Sequence, residues 1–138
     1  MRLLITDPTT VVADHGDIAS ARAEDESGSF GILAGHADLL TVLTVSVVSW
    51  RHADGRAAYC AVQKAVLSVQ GGQEIAIATR QAQLGTDFAA LETSVLARFR
   101  AEAEAERTGR VAAMHLQARA IRRIVEALHP ARRPEIGS

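Results

Sequence analysis

The hydrophobic period of the chain changes at Thr86, and that change limits what it can fold into. Ahead of it, short apolar runs are cut by turn residues. Leu3 to Thr6 stops at Asp7-Pro8, Val11 to Ala13 follows, and Ile18 to Ala23 alternates into the acidic loop Glu24-Asp25-Glu26. Leu39 to Leu43, Val45 to Trp50, Ala57 to Gln63, Val66 to Val69 and Glu74 to Thr79 continue the series. Asp54-Gly55 and Gly71-Gly72 fall between apolar runs, the strongest local signal for a hairpin. Many short strands punctuated in this way predict an antiparallel β-sandwich or flattened barrel over residues 1–86.

Beyond Thr86 the pattern is helical. Up to Leu128 there is no proline and one glycine, among abundant Ala, Leu, Glu and Arg, all good helix formers. Thr86 or Asp87 is placed to cap a first helix. Phe88, Leu91, Val95 and Phe99 recur at i+3/i+4 spacing as one apolar stripe. The stripe thins into Ala101, Ala103 and Ala105 before Thr108-Gly109, where a glycine C-cap would end the helix and Thr108 begin the next. Val111, Met114, Ala118, Ile121, Val125 and Leu128 form a second stripe, closed by His129-Pro130. Residues 87–138 therefore read as an antiparallel two-helix hairpin with a short tail. Its first arm is slightly acidic, while Arg110 to Arg133 carries six arginines (Arg110, Arg119, Arg122, Arg123, Arg132, Arg133) against Glu126 alone, a basic rod suited to an acidic partner.

Composition excludes several function classes. Aromatics make up 4% of the chain, too few for a nucleic-acid stacking platform, and the net charge is −1. One cysteine, Cys60, rules out an intramolecular disulfide and any multi-cysteine zinc site, and its apolar neighbours mark it as a small buried hydrophobe. No apolar run reaches the roughly 18 residues of a transmembrane helix, and the N-terminus turns polar too quickly for a signal peptide, so a soluble intracellular chain is expected. His15, His36 and His52 are placed in different turns without ligand spacing such as His-x-x-x-His, and no metal site is expected of them. Nothing resembles a nucleophile–base constellation or a phosphate loop, so no catalytic residue is expected.

The stretch from Gly28 to Leu43 puts Gly28, Gly31 and Gly35 just ahead of an apolar run, a shaped loop whose backbone path matters. It resembles the Gly-x-Leu-Gly-Ile-Leu-Pro-Gly-His-Ala-x-Leu-Leu-Thr-x-Leu signature of the epsilon subunits of F-type ATP synthases. The match runs through Gly28, Gly31, Ile32, Leu33, Gly35, His36, Ala37, Leu39, Leu40, Thr41 and Leu43, with Ala34 where that family has proline. Ala61 to Val69 is similar to the family's Val-Ser-Gly-Gly-Phe-Leu-Glu-Val strand pair, with Lys64 and Ala65 in place of its glycines. Ser46 to Arg51 and Ala78-Thr79-Arg80 look most like an alternate bacterial branch.

The resemblance implies a non-catalytic central-stalk subunit at the cytoplasmic face of the bacterial inner membrane, without direct membrane insertion. A sandwich of this kind would bind the gamma subunit and sit on the ring of c subunits, with Ser27, Gly28, Ser29 and His36 facing the ring. The helices would regulate hydrolysis by meeting acidic segments of the catalytic alpha and beta subunits through Arg100, Arg119, Arg122 and Arg123. Leu96 to Ala101 looks like the Ile/Leu-Asp-x-x-Arg-Ala motif with which some epsilon subunits bind ATP, but Ala97 replaces its carboxylate, and no cofactor is expected. The rival from another class is a free-standing nucleotide sensor using the same arginines. Nucleic acid is not an expected partner, because residues 1–86 hold six basic side chains against nine acidic ones.

Overall fold

A computed structural model describes residues 1–128. Eight strands precede the helical segment: β1 (Arg2–Thr6), β2 (Val11–His15), β3 (Ile18–Asp25), β4 (Gly28–Leu33), β5 (Leu39–Leu43), β6 (Ser46–His52), β7 (Ala57–Gln70) and β8 (Glu74–Gly85). They run in the order β2-β1-β8-β7-β5-β3-β4, with β6 bridging β3 and β7. A ring closes through β3, β6, β7 and β5, its last contact the single pair Asp25–Leu43. The expected sandwich is present with one departure from pure antiparallel pairing: β1 lies parallel to β8. The core is the inward set of alternating positions, among them Leu3, Ile5, Ile32, Leu67, Val69, Ile75 and Ile77, none more than 1% exposed.

Two runs read separately in the sequence, Ala57 to Gln63 and Val66 to Val69, are one long strand kinked at Lys64. Its first half pairs with β6 and its second with β5. Lys64 has φ of +54°, left-handed backbone that costs a side-chain-bearing residue about 1–2 kcal/mol and that glycine tolerates. Opposite the kink, the Thr79 hydroxyl accepts the Gln63 N–H at 3.3 Å and lies 2.9 and 2.7 Å from the Gln63 and Gln81 carbonyls. Thr79 is buried. Thr79→Val keeps the shape and strands these backbone groups, so it is expected to cost about 1–3 kcal/mol in chemical denaturation. An unchanged midpoint would remove Thr79 from this role.

Asp87 caps the helical segment as anticipated, its Oδ1 accepting the N–H groups of Ala89 and Ala90. α1 (Phe88–Ala90) passes through a π-helical turn at Leu91–Val95 into α2 (Leu96–Leu128). Thr93 and Ser94 donate their hydroxyls to the Ala89 and Ala90 carbonyls, both at 2.7 Å, satisfying acceptors that the widened turn releases. The wider turn brings Leu91 and Leu96 onto one face with Phe99, and all three are buried beside Ala61. The expected stripe is corrected here: Leu96 joins it, while Phe88 is 44% exposed and stands edge-on to Tyr59.

The two-helix hairpin is also corrected. α2 continues through Thr108 and Gly109 without a turn, and Gly109 does not take positive φ. Glycine inside a helix costs only about 1 kcal/mol, a weak stop among strong helix formers. Glu104–Arg107 and Glu106–Arg110 ion pairs flank and bridge the site at helical spacing. The expected stop at His129-Pro130 lies outside the described residues. By Cα packing the chain forms two compact units, Met1–Arg100 and a second beginning at Ala101.

Candidate docking face of the sandwich

Outward positions of the same strands make an uncovered apolar face. Leu40, Ser68, Ala76 and Leu4 form one cross-strand row, each paired with the next. Val42, Val66, Ala78, Thr6 and Val11 form a second beside it. Leu40 is 74% exposed, Val42 66%, Val66 41% and Val11 61%, on strands whose inward residues are buried. Alanines at positions 76 and 78 keep the middle of the face low, so that a partner's side chains could approach the sheet closely. Charge borders the two rows: the Arg2–Asp14 pair, with both contacts at 3.1 Å, lies at the margin of the first, and Glu74 and Arg80 take the outward positions of β8 on either side of Ala76 and Ala78. Such a surface favours association with another apolar surface, because burying it releases about 25 cal/mol for each Å² removed from water.

The residues expected to face the ring fall at opposite ends of β4. Ser27 lies in the turn before it and Gly28 begins the strand, the turn anchored by Asp25, whose carboxylate accepts hydrogen bonds from Ser27 and from the Thr41 hydroxyl at 2.7 Å. The Ser27 and Thr41 bonds hold the Asp25 carboxyl below its ordinary range. Ser29 Oγ accepts from Arg22 at 3.4 Å. His36 follows the strand at its other end, its Nδ1 2.6 Å from the Ala37 carbonyl and its N–H donated to the Leu33 carbonyl. Five residue steps of extended strand, roughly 16 Å, separate the two ends.

The remaining signature residues have structural work. Ile32 lies in the core, Gly31 pairs with Arg22, and Leu39 packs half-buried against the core. Gly35 reaches the β7–β8 turn, donating its N–H to the Gly72 carbonyl at 2.8 Å. Among the arginines, Arg119, Arg122 and Arg123 are exposed at i, i+3 and i+4 of α2 and so share one helix face. Arg100 belongs to the first unit, and no turn at Thr108-Gly109 folds the helix back to gather the four. Cys60 is fully buried as expected, its thiol pushed up to about 11 by desolvation.

Sequence reasoning passed over two features. The outward row through Val42, Val66 and Ala78 was hidden because Leu39 to Leu43 is nearly continuously apolar, so the run itself does not say which side is covered. His15 and His52, assigned to separate turns, in fact end β2 and β6 and meet with ring centroids 4.8 Å apart. Strand pairing joins them across 37 positions of sequence, beyond any local spacing rule.

Residues 1–85 match the family model for the β-sandwich domain of ATP synthase delta/epsilon chains. The chain is 41% identical over 132 residues to a protein of Paraburkholderia xenovorans named ATP synthase epsilon chain 2, covering 96% of this chain and 95% of that one. It is 38% identical over 128 residues to a protein of the same name from Cereibacter sphaeroides, covering 93% and 88%. Its fold is similar to a chain in the Euglena gracilis mitochondrial ATP synthase assembly of OSCP, F1 and c-ring, with a TM-score of 0.57 at 18% identity, covering 67% of this chain and 59% of that one. A chain of the Tetrahymena thermophila mitochondrial central stalk and c-ring gives 0.51 at 14% identity, covering 60% and 65%. The chain belongs to the epsilon chains of the ATP synthases, non-catalytic subunits of that complex. No helix among the described residues is long and apolar enough to cross a membrane.

Proposed function

We propose that this chain is a central-stalk subunit that couples rotation of the c-ring to the gamma shaft at the cytoplasmic face of a bacterial inner membrane. The apolar outer face of the sandwich carries the reading: its two rows through Val66 and Ser68 are the surface offered to gamma. A shaft that must turn with the ring needs a rigid adaptor, and a closed ring of strands with a fully buried core supplies one. The Ser27–Ser29 turn and His36 are the positions assigned to the ring.

Residues 1–86 are read as the coupling domain and the helical remainder as a regulatory arm. From Val111 onward α2 exposes Val111, Met114, Leu116, Ile121, Ile124, Val125 and Leu128 together with its arginines, an apolar and basic surface suited to acidic segments of the alpha and beta subunits.

Co-expression with a tagged gamma subunit, followed by gel filtration, tests the coupling role. A one-to-one complex is expected for the full chain and for residues 1–100, which form a compact unit. Failure of the full chain to co-purify would overturn the reading, and loss of the complex on truncation would move the binding surface to the helix.

A further inference from the structure

Two segments distant in sequence bring three metal-ligating groups to one end of the sandwich: His15 at the end of β2 with Asp17 in the following turn, and His52 at the end of β6. His52 Nδ1 lies 2.9 Å from Asp17 Oδ1, and one ligand atom from each of the three residues lies within 4.8 Å of the others. His52 is buried at 5% exposure, while His15 is half-buried. The His15 ring lies beside the His52 and Trp50 rings, and among the described residues its nitrogens carry no protein hydrogen bond. The backbone beneath is pinned: the Ala53 N–H donates to the Asp17 carbonyl and the His52 N–H to the Arg56 carbonyl, both at 2.8 Å.

We propose that His15, Asp17 and His52 bind a divalent late-transition cation, zinc or a zinc-like ion. Two imidazoles and one carboxylate suit zinc, cobalt or nickel and not magnesium or calcium, which prefer all-oxygen shells. In a four-coordinate zinc site the bonds of ~2.0–2.1 Å put neighbouring donors about 3.3 Å apart, with water in the open position. The His52–Asp17 pair, at 2.9 Å, needs to open only slightly to admit an ion between its two atoms. The wider separation, at most 4.8 Å, closes by rotation of the His15 ring, whose nitrogens carry no protein hydrogen bond. One negative ligand against a dication leaves the site with a net positive charge, and the nearby Arg56 guanidinium is already paired with Asp54 at 2.7 Å. A bound ion would tie the start of the chain to the β6–β7 hairpin.

Trp50 is the only tryptophan, and its ring centroid lies 6.3 Å from that of His15, so its fluorescence reports on this site. Titrating the full chain with Co2+ is expected to quench Trp50 fluorescence saturably at one equivalent, and Zn2+ to compete for the same site and raise the thermal midpoint. Mg2+ at the same concentration is expected to do neither. His15→Ala, which leaves the His52–Asp17 contact in place, and Asp17→Asn should each weaken binding at least tenfold. Absence of saturable quenching in the unaltered protein would overturn the proposal whatever the variants do. Affinity unchanged from the unaltered protein in both variants, or the same response to Mg2+, would overturn it as well.

Discussion

Val66→Glu is expected to weaken the complex with the gamma subunit at least a hundredfold while leaving the fold intact. Val66 stands in the middle of the outer face, paired with Val42 on one side and Ala78 on the other. In the free chain a glutamate there points into water, and exposed substitutions of this sort change stability by about 0.5 kcal/mol or less. In the complex the same carboxylate would be desolvated against its cross-strand neighbours Val42 and Ala78, neither of which can pair with it. Burial of an unpaired charge costs several kcal/mol, and a hundredfold loss of affinity needs only about 2.7 kcal/mol. Val11→Glu lies at the end of the same row and should cost much less, because the rim of an interface contributes little. Binding to immobilised gamma by biolayer interferometry, beside a thermal melt of each variant, checks this. A Val66→Glu protein that binds like the unaltered chain would show that gamma sits elsewhere.

That face also marks the limit of what the sequence makes legible. In β8 the alternation of Ile75 and Ile77 with Ala76 and Ala78 announces which side is buried, and the structure agrees. In β5 the run Leu39 to Leu43 fits either side, and only its register against β7 turns Leu40 and Val42 outward. A face built from several strands is a property of pairing, and pairing is long-range. The meeting of His15 with His52 was illegible for the same reason.

The helical half failed differently. Amphipathic spacing located the helix and Asp87 its cap, but the reading of Thr108-Gly109 as a stop relied on glycine as a C-cap. A C-cap glycine works by adopting positive φ, and nothing near Gly109 calls for that conformation, so local helix propensity prevails. The π-helical turn was invisible because its purpose, aligning Leu91 with Leu96 over Ala61, depends on a surface that the sandwich supplies. Gly85 takes part in that fit: a Cβ there would lie 3.0 Å from the Leu91 side chain.

Gly72→Ala should unfold the sandwich more readily than any other single alanine in its turns, by about 3 kcal/mol. Two costs combine there. Gly72 has φ of +67°, which for alanine adds about 1–2 kcal/mol of backbone strain. A Cβ on it would also stand 2.7 Å from Gly35 Cα and 2.9 Å from Gly35 N. These are backbone atoms of the signature loop, fixed by the Gly35 N–H bond to the Gly72 carbonyl and by the Gly71 N–H bond to Asp38 Oδ1 at 3.0 Å. No side-chain rotation relieves such a contact, and forced overpacking adds about 1–3 kcal/mol. The neighbouring turn residue separates the two contributions: Gly71 has φ of +62° but open space around its Cβ position. Gly71→Ala should therefore lose only the strain, and Gly16→Ala, with neither positive φ nor a close neighbour, should be nearly neutral. Urea midpoints for the three variants measure the difference directly. If Gly72→Ala and Gly71→Ala matched, the close approach of the signature loop to the β7–β8 turn would contribute nothing to the cost.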